Sequence, residues 1–235
     1  MKYIQLILSA LATNCYIVPV GEPTDFNTSM TDENGNTTVQ VVQRRPAAVI
    51  DPADDAEEIL SEAAAAGMQI KYILLTHGHF DHTGAASAVK AKTGAEIYIH
   101  SQDKAMLTDS VTSLAFFTPE RPFVPCTADH LLSGGESLHI GDLTFTVLHT
   151  PGHTAGSVCF LCGDPDGGKK LMFAGDTLFK DSVGRSDVYS SDRSAQQDSL
   201  DKLAALTDDY IVLPGHGDST TLSAEKRYNP FLAGL

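Results

Sequence analysis

Residues 73–84 read ILLTHGHFDHTG. An apolar, strand-forming run ends here in His77, His79, Asp81 and His82, three histidines and an aspartate within six positions. Neither residue type is needed at that density to stop a strand. What both supply is lone pairs, and imidazole and carboxylate are the donors that zinc and its neighbours accept. His77 and His79 stand two apart in an extended loop, so both rings can reach one side. Asp81 and His82 fall where the chain turns into a helix and aim at a neighbouring point. The string H-x-H-x-D-H arises by chance on the order of 10⁻⁴ times in a chain of this length. A metal site is therefore the expectation from which the rest is read.

Three other apolar strands end in the same chemistry. LTFTVLHTPG leads to His153, KLMFAG to Asp176 and YIVLPG to His216, each donor directly after a glycine. In α/β sheets the loops at one set of strand ends converge on a common crevice, and a glycine lets the backbone turn sharply just before the donor. Seven donors exceed the four of a single zinc. They suit two divalent ions ~3.5–4 Å apart, one held by His77, His79 and His153, the other by Asp81, His82 and His216, with Asp176 between them. Zinc is expected first, and iron or manganese share the donor preference. His100, His130, His139 and His149 read as ordinary surface or core histidines.

Working outward, strands are expected at 3–9, 14–20, 39–42 and 46–50, and residues 22–45 read as a polar surface loop or hairpin insertion marked by Asn34-Gly35. Asp51-Pro52 predicts the start of a helix that Gly67 closes. Strand 70–76, a helix over 83–93, strand 96–100 and a helix near 101–109 then alternate. Segment 111–126 carries three prolines and reads as a structured loop. Three strands, a helix over 194–206, strand YIVLPG and a polar tail complete the chain. Helices spaced among many strands predict a mixed α/β fold with helices covering the sheet faces, in one domain over 1–235.

Composition narrows the partners. A net charge of −14 without any basic run makes a nucleic-acid backbone or an anionic membrane repulsive. The apolar N-terminal stretch is short and broken by Gln5, so it reads as strands and not as a secretory signal. Cys15, Cys126, Cys159 and Cys162 are too few for a disulfide scaffold. Cys159 and Cys162 lie three apart on one strand and so point to opposite faces, unable to share a metal. Reduced thiols and a cytoplasmic monomer or small homo-oligomer are expected.

THGHFDHTG, TPGHTAGS, FAGDTLF and LPGHG, in that order, resemble the motif set of the metallo-β-lactamase superfamily, with TNCYIV (13–18) and VIDP (49–52) extending the match. The resemblance implies an αββα sandwich with a dinuclear site at one edge. GDTLF…GRSD (175–187) and PGHGDSTTLSAEKRYNPFL (214–232) are similar to the glyoxalase II group, the hydroxyacylglutathione hydrolases, and to its short bacterial branch. That implies hydrolysis of a small thioester such as S-lactoylglutathione by a metal-activated hydroxide, with Asp81 orienting the nucleophile. The C-terminal helical domain with which longer members hold glutathione is not expected here, which leaves the thiol open.

Arg185 of GRSD is a candidate clamp for a substrate carboxylate, or equally half of a structural pair with Asp187. Phe116 and Phe117, with Phe123, are candidates for a wall over the substrate, or else a plain packed loop. Glu225 and Asn229 are expected to tie down the tail. Persulfide dioxygenases look similar, including a GR-x-D stretch. Their pattern would place a single iron on His77, His153 and Asp176. The RNase branch shares H-x-H-x-D-H, but the acidic chain argues against it.

Overall fold

A computed structural model describes residues 2–31, 33–118, 120, 122–164 and 167–233. One sheet runs in the order β1 (Ile4–Leu8), β2 (Thr13–Pro19), β4 (Thr37–Ile50), β5 (Met68–Leu74), β6 (Glu96–His100) and β7 (His130–Leu132), while β3 (Thr24–Thr31) pairs with β4 outside that path. The second runs β15 (Thr220–Thr221), β14 (Tyr210–Pro214), β11 (Lys170–Gly175), β10 (Val158–Cys162), β9 (Leu143–His149) and β8 (Ser137–Ile140). A small hairpin joins β12 (Leu178–Phe179) to β13 (Ser182–Val183). The helices are α1 (Ala56–Ala65), α2 (Phe80–Thr83), α3 (Ala86–Thr93), α4 (Arg193–Ala205) and α5 (Leu222–Tyr228).

The period-2 alternation of the strands builds three apolar layers. On the first sheet Tyr16, Val18, Ile50 and Leu74 face Phe145, Phe160, Phe173 and Leu213 of the second, forming the central core. Their sequence neighbours Cys15, Ile17, Val49 and Ile73 point the other way and are covered by Ile59 of α1 and Val89 of α3. On the far side Cys159, Leu161, Met172 and Val212 pack beneath Leu200 and Leu203 of α4 and Leu222 of α5. The result is the four-layer αββα sandwich. Cutting a central phenylalanine such as Phe160, fully buried, to alanine costs about 3–5 kcal/mol. Cys159 and Cys162 fall in different layers, as the strand reading requires.

Three expectations need correction. The two short strands at 39–42 and 46–50 are one strand, β4, whose outer half pairs with β3 from Thr24↔Arg44 to Thr31↔Thr37 and whose inner half pairs with β2 and β5. Its outer half is polar because it is a ribbon exposed to solvent, and ladder hydrogen bonds do not require an apolar face. The first helix starts at Ala56, capped by the Asp55 side chain on the Glu58 amide, and not at Asp51. Asp51 is held elsewhere, in a left-handed conformation (φ 51°) at the end of β4. The expected helix near 101–109 is a 3₁₀ turn, Ser101–Leu107.

Chain order alone does not bring the two sheets together at the site. The Val158 amide reaches the Thr76 carbonyl at 2.9 Å, and the Asn14 amide reaches that of Gly215 at 2.7 Å. The Asn14 side chain donates to the carbonyls of Pro214 and Gly217. These bonds seam the C-terminal end of β5 to the start of β10, and β2 to the end of β14. The donor-bearing loops open along that seam.

Candidate metal centre

His77 and His79 follow β5 and His153 follows β9, so the first cluster draws on both sheets. His77 Nε2, His79 Nδ1 and His153 Nε2 converge, with His79 Nδ1 at 3.1 Å from the first and 2.9 Å from the last. Asp81 and His82 lie in α2 and His216 follows β14. Their donor atoms, Asp81 Oδ2, His82 Nε2 and His216 Nε2, form a second group. Asp176, after β11, stands between: Oδ1 is 3.3 Å from His82 Nε2, and Oδ2 is 3.4 Å from His153 Nε2 and 3.7 Å from His216 Nε2. The seven residues named from sequence are thus brought together. Gly215 permits it, because a Cβ there would lie 2.3 Å from Asp176 Oδ1 and 2.6 Å from His82 Cε1.

Four of the five rings are fixed from outside. Thr76 Oγ1 gives its only proton to Asp51 Oδ2 at 2.6 Å, so it must accept from His77 Nδ1 at 3.1 Å. His82 Nδ1 donates to Asp51 Oδ2 at 2.9 Å, His153 Nδ1 to the Arg185 carbonyl at 2.8 Å and His216 Nδ1 to the Leu11 carbonyl at 3.1 Å. Each ring therefore turns a bare Nε2 lone pair inward. That orientation by an outer oxygen is the habit of metal-ligating histidine. His82 Nε2 and Asp176 Oδ1 are buried without a hydrogen-bond partner. A bare nitrogen lone pair facing a carboxylate is repulsive unless a cation lies between. The donor set fits divalent metal ions. Asp51, His77 and His82 also cluster, but the three hydrogen bonds that Asp51 accepts make it an anchor and not a donor.

The charge pattern agrees. Burial and the surrounding imidazoles hold His77 well below the ordinary histidine value, and burial with His153 takes His79 down to about 3. Burial also penalises the charged forms of His82 and His216, but the carboxylates of Asp176 and Asp81 override it and raise both. The same two carboxylates are held below their usual range: burial would raise them, and His82, with His216, more than reverses it. His77 and His79 are thus held neutral, while His82 and His216 are drawn towards a positive charge. His77 and His82 are fully buried, whereas the His216 side chain is 28% exposed, so the centre is open to solvent on the His216 side.

The remaining candidates are placed differently. Arg185 turns its guanidinium to the surface, bonded twice to Asp187 at 2.7 and 3.1 Å. What GRSD gives the centre is backbone: the Arg185 carbonyl on His153, and Gly184, where a Cβ would fall 1.7 Å from the Asp176 carbonyl oxygen. Phe116 and Phe117 stack on each other 4.1 Å apart, largely exposed. The cavity beside Asp81 is lined by their neighbours Ala115 and Phe123. Glu225 and Asn229 do tie down the tail, binding Thr220, the Asp181 amide and the Ser182 carbonyl.

Two residues escaped the sequence reading. Asp51 ends an apolar strand as the donors do, but its Asp-Pro predicts a helix start instead. Asp103 carried no signal: it is buried in the 3₁₀ turn and accepts from the Gly78 amide at 3.0 Å, the Gly156 amide at 2.7 Å and Thr154 Oγ1 at 2.6 Å. It ties the His77–His79 loop to the loop that carries His153.

Residues 30–216 match the family described as the metallo-beta-lactamase superfamily. The chain belongs to that superfamily. A curated relative, hydroxyacylglutathione hydrolase GloC of Haemophilus influenzae, is 37% identical over 196 residues, which is 79% of this chain and 87% of GloC. Membership is consistent with a glyoxalase II-like branch. Among solved structures, the BLEG-1 B3 metallo-beta-lactamase superposes with a TM-score of 0.80 at 32% identity, covering 99% of this chain and 100% of that one. TTHA1623 in a di-iron-bound form gives 0.76 at 33%, covering 97% and 100%. ETHE1 from Myxococcus xanthus gives 0.72 at 28%, covering 100% and 85%. The superfamily is one of metallo-hydrolases. Among the described residues, no helix is long and apolar enough to cross a membrane.

Proposed function

We propose that this chain is a metal-dependent hydrolase of small hydroxyacyl thioesters, of the S-lactoylglutathione type, releasing a hydroxy acid and a free thiol. The observation that carries the reading is the set of outward-anchored imidazoles and two carboxylates converging at one point. The name of the relative GloC supports the substrate class, and the two irons of TTHA1623 support a pair of ions. His77, His79 and His153 would hold one ion and Asp81, His82 and His216 the other, with Asp176 shared and zinc the first candidate. Such a pair, when bound, lowers the pKa of water towards neutrality and polarises a carbonyl.

The chain's own groups supply the rest. Asp81 stays ionised, borders the cavity and keeps a carboxylate oxygen with lone pairs to spare, which suits it to orient a water for attack. The buried rings exclude bulk solvent on the His77–His82 side. A thiolate leaving group, with a pKa near about 8.5, needs little protonation. No acid has to be found for it. On the same reading the partner is a small molecule and neither nucleic acid nor membrane, which the charge of −14 favours. The chain works in the cytoplasm as a monomer or small homo-oligomer.

A second reading, persulfide oxidation at a single iron, draws on the GRSD stretch, the His77, His153 and Asp176 subset, and the likeness to ETHE1. Elemental analysis of protein purified without chelator, with a thiol-release assay beside an oxygen electrode, separates the two. About two metals per chain with oxygen-independent thiol release is the expected result. One iron with oxygen uptake would overturn the hydrolase.

A further inference from the structure

A cavity of about 410 Å³ opens beside the metal centre, and Asp81 belongs to both. Its floor is apolar: Ala53, Leu107 and Ala115 are 3, 2 and 6% exposed. Phe123 lines the wall. Leu11 and Val124 also line it and remain 49 and 54% exposed. The charged residues that line it, among those described, are Asp54, Asp81 and Glu120, all acidic. A volume of this size is that of a small-molecule site, and one built of alkyl and aryl groups with acids around it disfavours an anion.

The rim is a constructed feature. Leu11 sits in the turn between β1 and β2, where Ser9 (φ 65°) and Ala12 (φ 54°) are both left-handed without being glycine. The turn is closed by the Ala12 amide on the Ser9 carbonyl and the Leu11 amide on Ser9 Oγ. Such conformations are unfavourable for residues other than glycine and persist where surroundings fix them. Here they direct the Leu11 carbonyl to His216 Nδ1 while its residue lines the cavity. One residue thus joins the cavity to a donor ring.

We infer that this cavity binds an uncharged apolar group of the substrate, an alkyl or aryl chain next to the scissile carbonyl, and that Leu11, Phe123 and Val124 set the preference. The inference rests on the hydrolase reading for the identity of the substrate, and on the cavity alone for the chemistry of the ligand. Its consequence for specificity is that each methylene added to the buried chain improves kcat/KM about fourfold until the cavity is full.

The chain contains no tryptophan, so Phe123→Trp gives a single emission reporter, and Val124→Trp at the exposed rim serves as a second. Titration with butanol, hexanol and octanol is expected to give a saturable blue shift, tightening about fourfold per methylene. No saturable response in either variant overturns the inference, whether or not the protein is a hydrolase. On the catalytic side, acetyl, butanoyl and hexanoyl thioesters of glutathione and of uncharged N-acetylcysteamine are compared. A rise with acyl length on both thiols places the acyl chain in the cavity. A rise seen only on exchanging glutathione for N-acetylcysteamine places the thiol there and overturns the acyl assignment. Rates flat across both series overturn the inference and leave the hydrolase standing. Alcohol binding with no thioester hydrolysed refutes the hydrolase and leaves the cavity assignment. Val124→Asp is expected to lower the hexanoyl-to-acetyl ratio of kcat/KM at least tenfold, a ratio that a general loss of fold would not move.

Discussion

Asp51→Asn tests whether the centre is oriented from outside. The native carboxylate accepts from the Thr76 amide at 2.8 Å with Oδ1, and from Thr76 Oγ1 at 2.6 Å and His82 Nδ1 at 2.9 Å with Oδ2. An asparagine of the same shape has one oxygen and one NH₂, so one edge must place donor against donor. If the oxygen keeps His82, the Thr76 amide loses its acceptor. If it keeps the amide, His82 loses its tautomer lock, and Thr76 loses the proton acceptor that left its own oxygen free for His77. In the second orientation rings from both donor groups are loosened by one substitution; in the first only the Thr76 amide is stranded. Partners of this kind are worth 10–100-fold in metal affinity, or about 1.4–2.8 kcal/mol. The buried donor left unpaired costs about 1–3 kcal/mol of stability, and each kcal/mol lowers Tm by about 2–4 °C in a chain of this size. Competition against a chromophoric chelator measures the affinities, and a thermal melt in chelator measures the second effect alone. Affinities within twofold of the parent for both metals, with Tm also unchanged, would refute the anchoring argument.

Other outcomes follow from the same geometry. Asp81→Ala is expected to abolish most turnover with Tm little changed, and near-normal kcat would sink the two-metal mechanism. Asp103→Ala strands three buried donors and should destabilise the chain by about 3 kcal/mol or more; a melt within a degree of the parent contradicts its role as a tie between loops. On acidification from about pH 8 to about pH 5, protons compete first for His82 and His216, whose affinities are raised, while His77 and His79 stay neutral far below the ordinary value. One metal equivalent should therefore leave before the other, and His216→Ala should remove the acid-labile one; simultaneous loss, or loss of the metal that His216→Ala retains, contradicts the assignment. Arg185→Ala should leave KM within about twofold, because its guanidinium is bound to Asp187 at the surface and only its carbonyl serves His153; a tenfold rise in KM would restore the carboxylate clamp.

How much of this was readable beforehand divides along a physical line. The donors were legible because each is a chemically distinctive residue at the end of an apolar strand, and four, His79, His153, Asp176 and His216, follow a glycine that close approach requires. Both faces of strands such as VCFLC were legible because period 2 fixes them whatever lies opposite. Asp51 and Asp103 were not, because a buried carboxylate acquires its meaning from partners 25 to 53 positions away, such as Thr76 and Gly156. The sequence predicts the ribbon of β3 and β4 only as a loop or hairpin, with β3 unseen and β4 split in two, because backbone pairing between two solvent-facing strands leaves little hydrophobic pattern. Arg185 was legible only as far as its pair with Asp187, one of the two readings its side chain allows; that its carbonyl and the neighbouring glycine reach the centre leaves no mark in the residue types.

Each donor group is split between the sheets, and that division explains why the centre lies at the seam. His77 and His79 come from the end of β5 and His153 from beyond β9; Asp81 and His82 come from the first sheet's side and His216 from the end of β14. Neither sheet alone carries three donors of one group. Assembly of either group therefore requires the central core of Tyr16, Leu74, Phe145 and Phe173 to be packed first, and the seam bonds from Val158 and Asn14 to be made. Ions that bind only the assembled set add their binding free energy to that packing, by RT ln(1 + [M]/Kd) for each site. The strongly perturbed histidines and carboxylates, unfavourable for a chain with nothing to bind, are in this sense the local strain that a fold tolerates at the place where it works. The cost falls on the loops at the seam, and the core that supports them is almost wholly apolar, which is why the site can be demanding without the sandwich being fragile.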